Sequence, residues 1–455
     1  MRSDLRTGSL VKQTFVGLSL FLVVAFVYYE SPIHYLTDNA YSVLMDEAIL
    51  VHGTPDMSSY QVEHEQQSPF INHGYLYTID LVNGRLLYVY PWGCSLLSLP
   101  LVAFFDAFGL KVAPRGVYNV ANETEIQAAA GAIFSAVVVA IFFGTSSLFL
   151  SRGWSLAIAL GAAFGTSMWS AASRTMWPQT GYLVLISLVA WELAKMKPRP
   201  LLLGTLLAWA CFARPQASPI VLVVSLYVLI EFGLPVFLKY AGAGAAWGSV
   251  FAATMLLFFG RLLAPSYSTM TGFSGLLPRA EGLLFSPSRG LLVFMPIVLW
   301  TLYLAARYWW CLPQKRLAFL ALAVIAVHIT MTACWGGWWG GWSYGPRLLM
   351  ETIPWFVLLT VLGVRAFLDD RQLTMQKCSA VIAAAMLLLA VSVAMNAPGA
   401  LSSTANAWNA TPNVDQYPDR VWDWQHPQFL AWVQAPLWGV VSPRRHHRAS
   451  SDRWR

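Results

Sequence analysis

Asp38 follows the first long apolar run of the chain, inside the stretch TDNAYSVLMDEAILVHGTPD. A carboxylate placed there can act as a general base, taking the proton of a hydroxyl as its oxygen attacks an electrophile. It can equally be a helix N-cap. Thr37–Asp38–Asn39 precedes Ala40, Val43, Leu44, Ala48 and Val51 at helical spacing, and Gly53 follows His52 as a stop. That spacing predicts an amphipathic helix lying on a membrane surface. Asp46 and Glu47, one to two turns further along it, are the rival carboxylates.

Six arginines, Arg174, Arg214, Arg261, Arg279, Arg289 and Arg347, sit beside apolar segments. A guanidinium binds phosphate oxygens as a fork, so a subset of these suits a phosphate at membrane depth; Arg347, Arg174, Arg289 and Arg279 are the candidates. Each also suits a plain interface anchor. Arg347 closes the stretch CWGGWWGGWSYGPR, residues 334–347. Glycine there lets backbone approach a ligand closely. Trp338, Trp342 and Tyr344 offer faces for a sugar ring or a lipid, and an interfacial aromatic belt would have the same composition. His328 is the clearest ionisable group inside an apolar segment and reads as a hydrogen-bonded packing residue. His64, Glu65 and His73 can supply ligands to a divalent metal, but their spacing defines no site and no cofactor is assigned. The five cysteines lack any CxxC spacing; Cys94 and Cys334 can share one side of a membrane, which permits a disulfide without requiring one.

The elements that must hold these residues are membrane helices. Of 455 residues, 57% are hydrophobic and 11% charged, against roughly a quarter charged in soluble domains. The net charge of +7 is better explained by insertion topology than by nucleic acid, which is excluded as a partner. Apolar runs near 11–30, 127–150, 154–172, 177–194, 200–213, 216–232, 237–260, 290–306, 317–334, 349–366 and 378–396 give eleven expected spans. Residues 11–29 read as a retained first helix. The run 93–110, which contains Pro100 and Asp106, is expected to lie in plane or re-enter. With that assignment the N-tail and the loops 151–153, 195–199, 233–239, 307–316 and 367–377 collect most Lys and Arg on one side, which becomes the cytoplasmic one. The expected division is a first transmembrane helix over 1–30, an extracytoplasmic segment with in-plane helices over 31–126, a helical core over 127–396 and an extracytoplasmic tail over 397–455. The function then sits at the outer membrane surface.

The blocks TDNAYSVLMDEAILVHGT, LVNGRLLYVYPWGCSLLSLP, ASRTMWPQT, LLFSPSRGLLVFMP, WWGGWSYGPRLL and DRVWDWQHPQFL, in order from about 37 to 430, resemble bacterial membrane proteins of the GT-C glycosyltransferase superfamily. The chain is distantly similar to aminoarabinose transferases and protein O-mannosyltransferases. The resemblance implies an all-α GT-C fold in the bacterial inner membrane. It also implies inverting transfer of a sugar from a polyprenyl-phosphate donor to a glycan, lipid or protein acceptor on the periplasmic face. Asp38 matches the family's catalytic carboxylate by position and Tyr41 the tyrosine that follows it. Two positions depart from the pattern: Asp38–Asn39 stands where Asp-Glu is common, and Pro91–Trp92–Gly93 where PPG is common. The competing expectations are a flippase or transporter of lipid-linked sugars and a non-catalytic partner in envelope assembly. Spans nearly free of carboxylates argue against coupled transport.

Overall fold

The computed structural model describes residues 2–62, 71–72, 74–267 and 272–434, with side chains from residue 12 onward except at 71–72, 267 and 434. The architecture is helix packed on helix. In order come α1 (Arg2–Glu30), α2 (Ser42–His52), α3 (Gly93–Ala107), α4 (Val120–Ser146), α5 (Arg152–Phe164), α6 (Pro178–Ala194), α7 (Pro200–Ala213), α8 (Ser218–Phe232) and α9 (Leu234–Phe259). Then follow α10 (Leu276–Phe285), α11 (Leu291–Phe294), α12 (Ile297–Arg307), α13 (Lys315–Ala333), α14 (Ile353–Asp369), α15 (Met375–Leu401), α16 (Ser403–Ala407) and α17 (Ala431–Gln434).

A helix lies over each of the eleven expected spans, but the number that can cross is smaller. Among the described residues seven stretches are long and apolar enough: Lys12–Glu30, Val120–Ser146, Pro215–Phe232, Leu234–Phe259, Lys315–Ala333, Arg347–Asp369 and Met375–Leu401. At 1.5 Å per residue a crossing takes about 20 residues. The 13 residues of α5, 17 of α6, 14 of α7 and 11 of α12 fall short. The apolar run over 154–172 leaves α-helical geometry at Gly165 and continues as a π turn, Met168–Ala172. Helix α3, over the run expected not to cross, has 15 residues.

Burial sorts the helices. The most apolar stretch of Arg347–Asp369 is 94% buried, and that of Met375–Leu401 only 6%. A helix apolar on every side fits either place, since lipid tails and a protein core are equally apolar solvents. The packing order runs from α1 to α4, α4 to α5 and α6, α6 to α7, α7 to α9, α8 to α13, α13 through α14 to α12, and α12 to α15.

Segment 31–126 has a smaller core of its own, with Val43, Leu44, Met45, Ala48, Ile79, Leu87, Tyr88, Trp92 and Val102 buried together. Two antiparallel hairpins lie in it: β1 (Ile71–Asn72) pairs with β2 (Tyr75–Leu76), and β3 (Ile79–Val82) with β4 (Arg85–Tyr88). This core revises the reading of α2 as a helix resting on a membrane. Every residue from Ser42 to Ala48 is buried, because α3 and β4 cover faces that the apolar spacing suggested lipid would cover. Nor does Asp38 cap it. The helix begins at Ser42, after Tyr41 in left-handed backbone at φ 68°. Its N-terminal amides are met from another helix: Glu123 of α4 accepts from the N–H of Tyr41 at 3.0 Å and of Val43 at 3.2 Å.

Candidate active site

The turn that carries Asp38 is tied to the helix bundle by its neighbour. Asn39 is fully buried. Its side-chain oxygen accepts from the Thr37 N–H at 2.9 Å, and its amide donates to Gln127 and to Thr175. Gln127 of α4 in turn donates to the Asn39 carbonyl at 2.8 Å and to Glu123 at 3.0 Å. This network accounts physically for an amide, where the resemblance leads one to expect a second carboxylate. Asn39 donates to both a side-chain carbonyl and a hydroxyl, and a carboxylate has no N–H with which to do so.

With the turn anchored, Asp38 projects where three elements meet. The Tyr88 hydroxyl donates to its carbonyl at 2.6 Å and the Tyr77 hydroxyl to Oδ1 at 3.1 Å. Arg347 Nη1 donates to Oδ2 at 3.2 Å, from 309 residues away in the chain. The Asp38 side chain remains 28% exposed, whereas that of Arg347 is 6% exposed. The Arg347 guanidinium lies 4.0 Å from the ring centre of Trp177, the residue just before α6. Arg347 Nε and Thr37 Oγ1 are both buried without a hydrogen-bond partner among the described residues. Buried polar atoms are rarely left so.

Arg347 opens a 3₁₀ turn, Arg347–Thr352, that is buried throughout and clamped from two sides. His328 of α13 is hydrogen-bonded through Nε2 to the Leu348 carbonyl at 2.9 Å, and its Nδ1 lies 3.5 Å from Glu351. Arg214, at the end of α7, forms a buried ion pair with Glu351. His328 is thus the packing histidine expected from its apolar setting. Glu351 was not anticipated, although a carboxylate near the start of an apolar run is itself a signal.

The other candidates are placed differently. Arg174 is fully buried, and its guanidinium donates to the carbonyls of Tyr28 at 2.5 Å and Ser31 at 3.0 Å, closing the C-terminal end of α1. Arg289 has all five N–H groups occupied, by the carbonyls of Trp339, Ser288 and Gly341 and the side chains of Gln428 and Asn409. The remaining N–H groups of Arg174 go to Ser173 and the Ile33 carbonyl, so in both arginines every N–H already ends on a protein group. Arg279, on α10, donates to the Ala333 carbonyl at 3.4 Å.

Asp46 and Glu47 also turn away from this junction. Asp46 accepts from Ser98 of α3 at 2.6 Å, and Glu47 accepts from the N–H of Val112 at 2.6 Å. Burial pushes the Asp46 carboxyl well above the usual carboxylate range, and raises that of Glu47 as well. Tyr41 is buried and stacked on Tyr118 at 4.3 Å between centroids. Tyr344 is buried with its hydroxyl on the Met395 carbonyl at 2.8 Å. Both rings are packing residues, so their assignment to a sugar or lipid is corrected.

The Gly/Trp stretch is not an open loop. Gly340 and Gly341 adopt left-handed φ of 76° and 61°, turning the chain tightly. Trp338 lies against Gly282 of α10, where a Cβ would fall 2.2 Å from the ring. Trp342 and Trp339 donate to Asn413 at 3.2 Å and Asp415 at 2.9 Å. The segment after α15 therefore folds onto the stretch, with Trp408, Val414 and Val421 as a small core beneath it. Trp338 and Trp342 keep partly exposed faces.

His64, Glu65 and His73 lie outside the described residues. Among the described residues no group of three His, Cys, Asp or Glu is arranged to hold a metal. None of the five cysteines is in a disulfide, and Cys94 donates instead to the Trp177 carbonyl at 3.1 Å, so Cys94 and Cys334 are not bridged. No protein-family model matches the chain, and no curated protein matches it either.

Proposed function

We propose that the Asp38–Arg347 junction is the reacting centre of an inverting, GT-C-like glycosyltransferase that takes its sugar from a polyprenyl phosphate. One observation carries this reading. A carboxylate with solvent access and a buried guanidinium with an unpartnered N–H meet across 309 residues, next to helices of membrane-spanning length. Arg347 binds the donor phosphate. The acceptor hydroxyl oxygen bonds to the anomeric carbon from the face opposite the phosphate. The anomeric C–O bond breaks, its electron pair goes to the phosphate oxygen, and Asp38 takes the hydroxyl proton. The leaving phosphate gains negative charge as this happens, and a fixed cation in a water-poor setting stabilises it. Trp338 and Trp342 offer ring faces on the acceptor side.

The charge bias of the loops supports an inner-membrane protein whose site faces the periplasm. The donor sugar and the acceptor are to be identified directly. Mass spectrometry of lipid-linked and envelope glycans, in cells with and without the protein, should show a sugar lost from an acceptor and its polyprenyl-phosphate form accumulating. Unchanged glycans under conditions where the protein is made would refute the activity.

A further inference from the structure

Arg347 and Asp38 are partners at rest, and a donor phosphate would need the same guanidinium. We infer that the donor anion displaces Asp38 from Arg347, so that the base is released only once the donor is seated. This rests on the glycosyl-transfer reading and adds an order of events to it.

Three features make the exchange possible. The contact from Arg347 Nη1 to Asp38 Oδ2 is single and long, at 3.2 Å, while Nε is unpartnered. A phosphate can engage two N–H groups of the fork at once, so it competes well for this cation. The guanidinium need not move on exchange, because the Trp177 ring holds it at 4.0 Å. The Asp38 backbone stays in position, since Tyr88 holds its carbonyl, and rotation of the side chain about the Oδ1 that Tyr77 holds carries Oδ2 away from Nη1. What changes is Oδ2. It gives up a cation and becomes a free lone pair on a side chain that already reaches solvent. An oxygen engaged by a guanidinium is blocked from accepting a hydroxyl proton, and one relieved of it is open to do so. Deprotonation of an acceptor is thereby coupled to the presence of donor.

Binding linkage is reciprocal. If the anion weakens the Asp38–Arg347 contact, removing the Asp38 charge must tighten the anion. The test is calorimetric titration of the purified full-length protein in nanodiscs with a short-chain polyprenyl monophosphate. Couplings between sites usually amount to about 5- to 150-fold, and Asp38→Asn should bind tighter by a factor in that range. Asp38→Ser repeats the test without an amide. Arg347→Ala should bind weakly, and adding Asp38→Asn to it should restore nothing. If Arg347→Ala binds weakly while both Asp38 variants match wild type, the displacement is wrong and the anion site stands. If Arg347→Ala binds as wild type does, both the displacement and the proposed centre fall.

Discussion

Arg347 and Arg289 are the same residue in two neighbouring regions, and their surroundings differ in one respect. Arg289 is enclosed by five acceptors, three of them backbone carbonyls, and joins the Gly/Trp stretch to the segment after α15. Arg347 has a single acceptor among the described residues, a carboxylate with solvent access, and an indole face beneath it. A guanidinium whose hydrogen bonds all end on protein groups contributes rigidity. One left incomplete inside a buried site is available for a ligand. Counting partners distinguishes Arg289 from Arg347, which residue type and proximity to an apolar run could not do.

The sharpest way to break the comparison is at Asp38. General-base assistance is worth about 10²- to 10⁴-fold, so Asp38→Asn should lose that much transfer, while its unfolding temperature stays close to wild type. Asp46→Asn and Glu47→Gln should retain transfer, because both carboxyls face into segment 31–126. Transfer abolished by Asp46→Asn and spared by Asp38→Asn would move the base two turns along the chain.

Arg289→Ala should act on the fold. Each buried acceptor left unpaired costs roughly 1–3 kcal/mol, so this variant should unfold several degrees earlier and lose residues 403–434 to limited proteolysis sooner. A stable Arg289→Ala protein with impaired donor binding would reverse the two roles. Arg347→Ala should show the opposite profile: near-normal stability and donor affinity weakened by about 1.5–3 kcal/mol, the usual worth of a charged hydrogen bond. Arg347→Lys keeps the charge, loses the fork, and should fall between.

The smallest effect concerns Asp46. Its carboxyl titrates well above the ordinary range in the folded protein because it is buried. The folded state therefore holds a proton that the unfolded chain has already released. The contribution to stability is full below the unfolded pKa of about 3.9 and is lost as pH rises through the folded value. Asp46→Asn, neutral at every pH, should gain thermal stability over wild type as pH rises from 4 to 8. A parallel pair of melting curves would place the wild-type carboxyl back in the ordinary range.

Much of the helical order was legible because apolar runs of membrane length are a coarse, robust signal. The breaks within them were less so: the π turn at Met168–Ala172 interrupts a run that hydropathy reads as continuous. Asp38 and Arg347 were legible one at a time, as a carboxylate after a span and an arginine ending a Gly/Trp stretch. Their pairing was not, since nothing local links residues 309 apart. Helix α2 misled for the same reason. Its apolar spacing specifies a buried face without saying whether lipid or protein buries it, and Glu123 caps it from another helix. Tyr88 was missed because tyrosine in a strand is common for reasons of strand propensity alone, and Tyr77, in the turn between β2 and β3, carries no local signal.

The rivet at Arg289 sets an order of assembly. Two of its five acceptors, Asn409 and Gln428, follow α15 in the chain. A nascent chain halted after Leu401 would already contain every stretch, among the described residues, long and apolar enough to cross. Yet Arg289 would be two acceptors short, and Trp339 and Trp342 would lack Asp415 and Asn413. The Gly/Trp stretch can therefore be completed only after α15 has been made.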